Sequence, residues 1–212
     1  MPEIELSAGV LEYDDAGAAG PVVVLLNGLL IGRSVWRSVV ADLAVDHRCL
    51  VLELPLGAHR RPMRDDADLS GRGLAGLLAL ALQQMRIRPI RRSPLNFGLM
   101  SKRPVPDTVM DAWLRPAISS ARIRRDVLTY LRATRKGEYL EAAASLPGFT
   151  GPALVVWAPE DRLMRPDHGR RLVQQLPDGR LAEVTDSYTL IPEDQPQRCA
   201  ELIRAFIAET SR

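Results

Sequence analysis

The chain has 212 residues, 46% hydrophobic and 25% charged, the composition of an ordinary globular domain long enough to bury a core. Its 28 Lys+Arg against 26 Asp+Glu leave a net charge of +2, too small to argue for a nucleic-acid partner, and none is expected. The longest strictly apolar runs, Val22 to Leu26 and Leu77 to Leu82, fall far short of the roughly 20 residues of a membrane span, so no span is expected.

Glu3 and Glu5 stand where a secretory leader would carry basic residues, so a cytoplasmic location is the expectation. Cys49 and Cys199, with no close spacing, form neither a zinc pattern nor a disulfide framework; no metal and no cofactor is expected. In chain order, Ile4 to Leu6 and Val10 to Tyr13 alternate and suit an antiparallel edge. Residues 22 to 26 (Val-Val-Val-Leu-Leu), 49 to 54 and 153 to 157 are unbroken apolar runs, which predicts parallel strands buried on both faces. Between the first two, Ser34 is a candidate cap for a helix whose stripe is Val35, Trp36, Val39, Val40 and Leu43, completing a βαβ unit. Ser70 to Met85 repeats apolar residues at helical spacing.

From Arg86 to Leu146 the chain turns Arg-rich and is broken by five prolines, with Asp107 a candidate cap for a helix at 109 to 118 and a further stripe at Ile123, Val127, Tyr130 and Leu131. This reads as a helical insertion. After Pro147 to Pro152 the βαβ rhythm returns: strand 153 to 157, helix 168 to 176, strand 181 to 184, and a last helix with Ile203, Phe206 and Ile207 inward. The stretch from Leu69 to Pro106 holds seven basic residues and no acidic one; with only Phe97 aromatic in it, a solvated helical face is the favoured reading.

Val22 to Leu26 followed by Asn27-Gly28-Leu29-Leu30, then Ser34-Val-Trp36-Arg37, then Glu53-Leu-Pro55-Leu-Gly57-Ala-His59, together resemble the α/β-hydrolase fold family, in its haloalkane dehalogenase and epoxide hydrolase-like branch. In the last third, Trp157-Ala-Pro-Glu-Asp161 resembles the strand end carrying the acid of the triad, and Asp186 to Pro196 the segment carrying its histidine. The resemblance implies a three-layer α/β sandwich with a reduced, mostly parallel sheet: core residues 1–85 and 147–212, and a helical cap at 86–146. It implies a hydrolase of small apolar substrates carrying an ester, epoxide or carbon-halogen bond.

Three departures qualify that activity. The chain contains no G-x-S-x-G or G-x-D-x-G nucleophile elbow. The text that should hold it passes from the helix at 70 to 85 directly into the Arg-rich insertion, as though two strands and two helices, about 55 to 80 residues at typical element lengths, were absent. Counting back from Pro196, the histidine position holds Thr189, whose hydroxyl cannot relay a proton at neutral pH. Asn27 replaces the usual histidine before Gly28. The resemblance thus nominates Asp161 and Thr189 for the catalytic positions. It nominates Asn27, Gly28, Leu29, Trp36 and His59 for the oxyanion loop and pocket, with the Leu29 amide able to bind a carbonyl or anion.

From residue type alone, Asp161 could equally cap the turn before Pro166, and His59 beside Arg60 and Arg61 reads first as solvated. Ser34 or Ser187 beside a histidine would be the other route to a nucleophile, and Cys49 reads as an inert buried thiol. The expectation is an inactive hydrolase-like chain; the alternative is a non-catalytic pseudoenzyme that holds a small-molecule ligand or a protein. The shortened sheet is expected to close by pairing strand 22–26 with strand 153–157, hiding two apolar edges.

Overall fold

The computed structural model describes residues 2–6, 9–17, 20–64, 96–133 and 136–210. They fall into two compact units, one drawn from Met1–Arg91 and Val105–Arg135, the other from Arg92–Pro104 and Lys136–Arg212. The helix expected at 70 to 85 lies outside the described residues.

The first unit is built on strands β1 (Glu3–Leu6), β2 (Gly9–Gly17), β3 (Val22–Leu26) and β4 (Arg48–Leu52), ordered β1-β2-β4-β3. The β1–β2 and β2–β4 ladders are antiparallel; β3 and β4 are parallel, with Val22 opposite Arg48 and Leu26 opposite Leu52. The sheet is therefore mixed, because the antiparallel edge read at the N-terminus continues into β4. Gly17, the last residue of β2, is required where that strand approaches the chain before β4: its φ is +104°, and a Cβ there would lie 2.1 Å from the His47 carbonyl.

Between β3 and β4 the chain forms a 3-10 turn at Arg33–Trp36 and helix α1 (Arg37–Leu43), burying Val35, Val39 and Leu43 as the stripe requires. Ser34 does not cap α1. It sits inside the 3-10 turn, where its Oγ accepts the indole N–H of Trp113 at 2.7 Å, and Trp36 takes the cap position without a side-chain bond. Burial along β3 alternates, correcting the expectation of a strand covered on both faces. Val23 and Leu25 are buried, whereas Val22, Val24 and Leu26 are 55%, 55% and 52% exposed. Among the described residues the ladder partner of β3 is β4.

Helices α2 (Asp107–Ser119) and α3 (Ala121–Ala133) complete this unit. Met110, Trp113, Leu114 and Ala117 of α2 are buried at i, i+3, i+4 and i+7, together with Ile123 and Val127 of α3. Each large apolar side chain so buried contributes about 1.5–3 kcal/mol. Asp107 is the first residue of α2 rather than its cap, because Pro106 holds the cap position. The last α2 carbonyls, of Ala117 and Ile118, accept Arg124 Nη1 at 3.0 and 2.8 Å, which satisfies acceptors that a helix end leaves open.

The second unit contains α4 (Lys136–Ser145), β5 (Ala153–Trp157), α5 (Pro166–Gln174), β6 (Gly179–Glu183), α6 (Ile191–Asp194) and α7 (Pro196–Thr210). Strands β5 and β6 pair in parallel, Ala153 opposite Gly179 and Trp157 opposite Glu183. Gly169 lets α5 approach Trp157, whose ring lies 2.8 Å from where a Cβ would stand. Fully buried Asp194 is the polar knot of the unit. It accepts Ser101 Oγ at 2.9 Å and the amides of Lys102, Arg103 and Tyr188 at 2.9, 2.8 and 2.9 Å. Of the basic block, Lys102 pairs with Glu160 and Asp186, and Arg103 with Asp186. Among the described residues no helix is long and apolar enough to cross a membrane.

Candidate functional site

The resemblance nominates residues in both units, and the chemistry of each group follows from its own strand end. In the second unit β5 ends at Trp157 and the chain turns, with Asp161 N–H donating to the Ala158 carbonyl at 3.1 Å. Asp161 Oδ1 then accepts the amides of Leu163 and Met164 at 2.8 and 3.0 Å, which caps the turn. The same oxygen accepts the Thr189 hydroxyl at 2.8 Å. Asp161 thus closes its own loop and also accepts the hydroxyl of Thr189, the residue the resemblance nominates for the histidine position. The partner is a hydroxyl that donates to the carboxylate and has no basic lone pair at neutral pH to take up a proton.

In the first unit β3 runs out into the loop Asn27-Gly28-Leu29-Leu30. Asn27 is buried and fully used: Nδ2 donates to the Ile31 carbonyl at 2.6 Å and to Glu53 Oε1 at 3.0 Å, while Oδ1 accepts the Leu54 amide at 2.8 Å. Leu30 adopts φ +57°, uncommon for a branched side chain, and its amide is anchored on the Leu56 carbonyl at 2.8 Å. These ties hold the loop open around Leu29, which is exposed and whose backbone N–H has no hydrogen-bond acceptor among the described residues. Trp36 Nε1 donates to the Leu26 carbonyl at 2.9 Å, fixing the indole beside the start of this loop.

Glu53, which sequence reasoning quoted but did not weigh, is the strongest perturbed acid here. It is 8% exposed, accepts the Arg33 amide on both oxygens at 3.3 Å, and burial raises its pKa to about 7 against the pull of Arg33 and Arg60. The available signal was its position at the end of a buried strand, where open α/β sheets gather polar groups.

His59 is not solvated. It is buried, its Nδ1 accepts the Gly57 amide at 3.1 Å, and the tautomer this implies lets Nε2–H donate to Asp126 Oδ2 at 3.1 Å. Asp126, fully buried, also accepts the Met63 amide at 2.9 Å and Arg125 Nη2 at 2.9 Å. Desolvation pushes the His59 pKa down against the opposing Asp126, so the ring is neutral and ties the loop after β4 to α3. His47 is buried against Asp46 at 2.8 Å, and His168 is exposed on α5.

Neither alternative serine meets a histidine: Ser34 serves Trp113, and buried Ser187 donates to the Tyr188 carbonyl at 3.0 Å. Cys49 is fully buried in β4, and burial raises the Cys199 thiol to about 11. Among the described residues no three His, Cys, Asp or Glu side chains gather as a metal site.

No family model matches the chain. A stretch of 56 residues is 38% identical to the uncharacterized hydrolase YugF of Bacillus subtilis (strain 168), covering 26% of this chain and 20% of that protein. The match thus spans about a fifth of the relative's length. Solved structures align over nearly the whole chain. A candidate lipase of Acinetobacter baumannii AYE has a TM-score of 0.74 at 15% identity, covering 99% of this chain and 92% of that one. A loop variant of a haloalkane dehalogenase from Bradyrhizobium elkanii gives 0.65 at 16%, covering 98% and 95%. A thermophilic esterase from Thermogutta terrifontis gives 0.66 at 15%, covering 99% and 98%. Such likeness at this identity fixes architecture rather than activity, and the architecture is that of the α/β-hydrolases: this chain has the α/β-hydrolase fold.

Proposed function

We propose that the chain is a non-hydrolysing protein of α/β-hydrolase fold that binds a small apolar molecule bearing a carbonyl or anionic group. The observation that carries this reading is the 2.8 Å bond from Thr189 Oγ1 to Asp161 Oδ1. In the triad logic the acid orients an imidazole that accepts a proton from the nucleophile; here the acid orients a hydroxyl, so no proton leaves the site by that route. The sequence holds no nucleophile elbow to be deprotonated. The Leu29 amide, held outward by Asn27 and Leu30, supplies the donor for a ligand oxygen, with Trp36 as the adjacent apolar surface. Ester, epoxide and haloalkane compounds, the substrate classes implied by the resemblance and the neighbours, are the ligands to try first.

The test is a panel of activated esters, epoxides and haloalkanes incubated with the purified chain and with Asp161→Asn. The expected result is no turnover above buffer in either, with saturable binding of some members seen by ligand-observed NMR. Turnover by the natural chain that Asp161→Asn abolishes would show a working hydrolase and overturn the proposal.

A further inference from the structure

The first unit contains a cavity of about 580 Å³, within the range of small-molecule sites, and none of the oxyanion-loop residues lines it. One wall is a single face of α2: Thr108, Asp111, Ala112, Arg115 and Ser119 recur at i, i+3, i+4, i+7 and i+11. This face is the polar counterpart of the buried Met110, Trp113, Leu114 stripe, yet it borders a concavity rather than open solvent. Arg60, from the loop after β4, faces it, and Ile123 of α3 adds an apolar floor together with Ala112 and Pro116. Two arginines from separate elements, Arg60 and Arg115, thus line one cavity, and neither has an ion pair among the described residues. The cation Arg60 is felt by Glu53 without bonding to it. Asp111 is the one acid in the lining.

We propose that this cavity is a binding site for a small organic monocarboxylate. Two arginines against one aspartate leave one positive charge to neutralise, and the planar guanidinium fork matches a carboxylate in two parallel hydrogen bonds. The apolar floor takes a short hydrocarbon body, which a bare inorganic anion lacks. The site is independent of the Leu29 loop, so it stands or falls separately from the reading above.

The test is titration calorimetry of the full chain with sodium hexanoate, using hexanol and inorganic phosphate as comparison probes. Hexanoate is expected to bind saturably and hexanol not at all. Arg60→Gln and Arg115→Gln, both changes at exposed side chains, should each weaken hexanoate about tenfold, the loss of one charged hydrogen bond, and Asp111→Asn should tighten it. Unchanged far-ultraviolet dichroism confirms that the variants fold. Hexanoate binding that ignores both arginine substitutions, equal binding of hexanol, or no saturable binding would each overturn the site. Phosphate binding as tight as hexanoate would overturn the carboxylate assignment.

Discussion

Glu53 is the group whose environment makes the sharpest quantitative demand. Its carboxyl is buried under the Asn27 and Arg33 donors, and its pKa stands at about 7 against an ordinary value of 4.5. A folded-state pKa above the unfolded one means that the native state binds the proton more tightly. Stability is therefore full below pH 4.5 and is lost as pH rises toward and through about 7. At about 1.4 kcal/mol per unit, the shift of about 2.5 units amounts to about 3 kcal/mol.

Glu53→Gln removes the titration while keeping an oxygen to accept Asn27 Nδ2 and the Arg33 amide. Urea unfolding followed by tryptophan fluorescence from pH 5 to 8 should find the two proteins alike near pH 5 and the variant more stable by up to about 3 kcal/mol at pH 8. His59 titrates in the opposite sense, since its depressed folded pKa costs stability as pH falls below 6.5, but it is present in both proteins and drops out of the difference. A stability difference that stays constant across this pH range would refute the reasoning.

Other expectations follow from particular contacts. Asp126→Leu should cost about 3–5 kcal/mol in urea unfolding, because it leaves His59, the Met63 amide and Arg125 without their common acceptor in a dry site. Val24→Lys, on the exposed face of β3, should change stability by less than about 0.5 kcal/mol and raise the onset temperature of light scattering, whereas Val23→Ala costs at least about 1 kcal/mol. Gly169→Ala should destabilise by about 1–3 kcal/mol and alter near-ultraviolet dichroism, since the added methyl meets the Trp157 ring. Neither cysteine should react with a thiol reagent at pH 8 in the native state, and both should react in urea.

The readable parts of the chain were those where local pattern and tertiary role agree. Strand 22–26 and strand 153–157 begin and end where their apolar runs do; of the stripe read at 35–43, Val35, Val39 and Leu43 are buried and Trp36 and Val40 are not, and of the stripe on α3, Ile123 and Val127 are buried and Tyr130 is exposed. The alternating burial of β3 is not legible in its sequence, because an unbroken apolar run does not say which faces of a strand are covered. The resemblance nominated Asp161 and Thr189 separately, and the hydrogen bond between them is a finding of the structure. The His59–Asp126 pair was not, because the two residues are 67 apart and nothing local marks Asp126 as the one acid that α3 turns inward. Residue type points to Ser34 and Asp107 as caps, whereas Trp36, two residues beyond Ser34, and Pro106, immediately before Asp107, hold the cap positions.

Under the proposed reading, in which Thr189 stands where the resemblance places the histidine, position 189 supplies no proton acceptor, and this defines the most direct measurement. In this fold's two-step chemistry the base releases the covalent intermediate, so any surviving nucleophile would be trapped as a stable adduct when the base is a threonine. Intact-mass spectrometry of the chain after incubation with an activated ester, and separately with a haloalkane, reads that directly. The account predicts the unmodified mass in both cases; a stoichiometric acyl or alkyl adduct that native folding is required to form would contradict it.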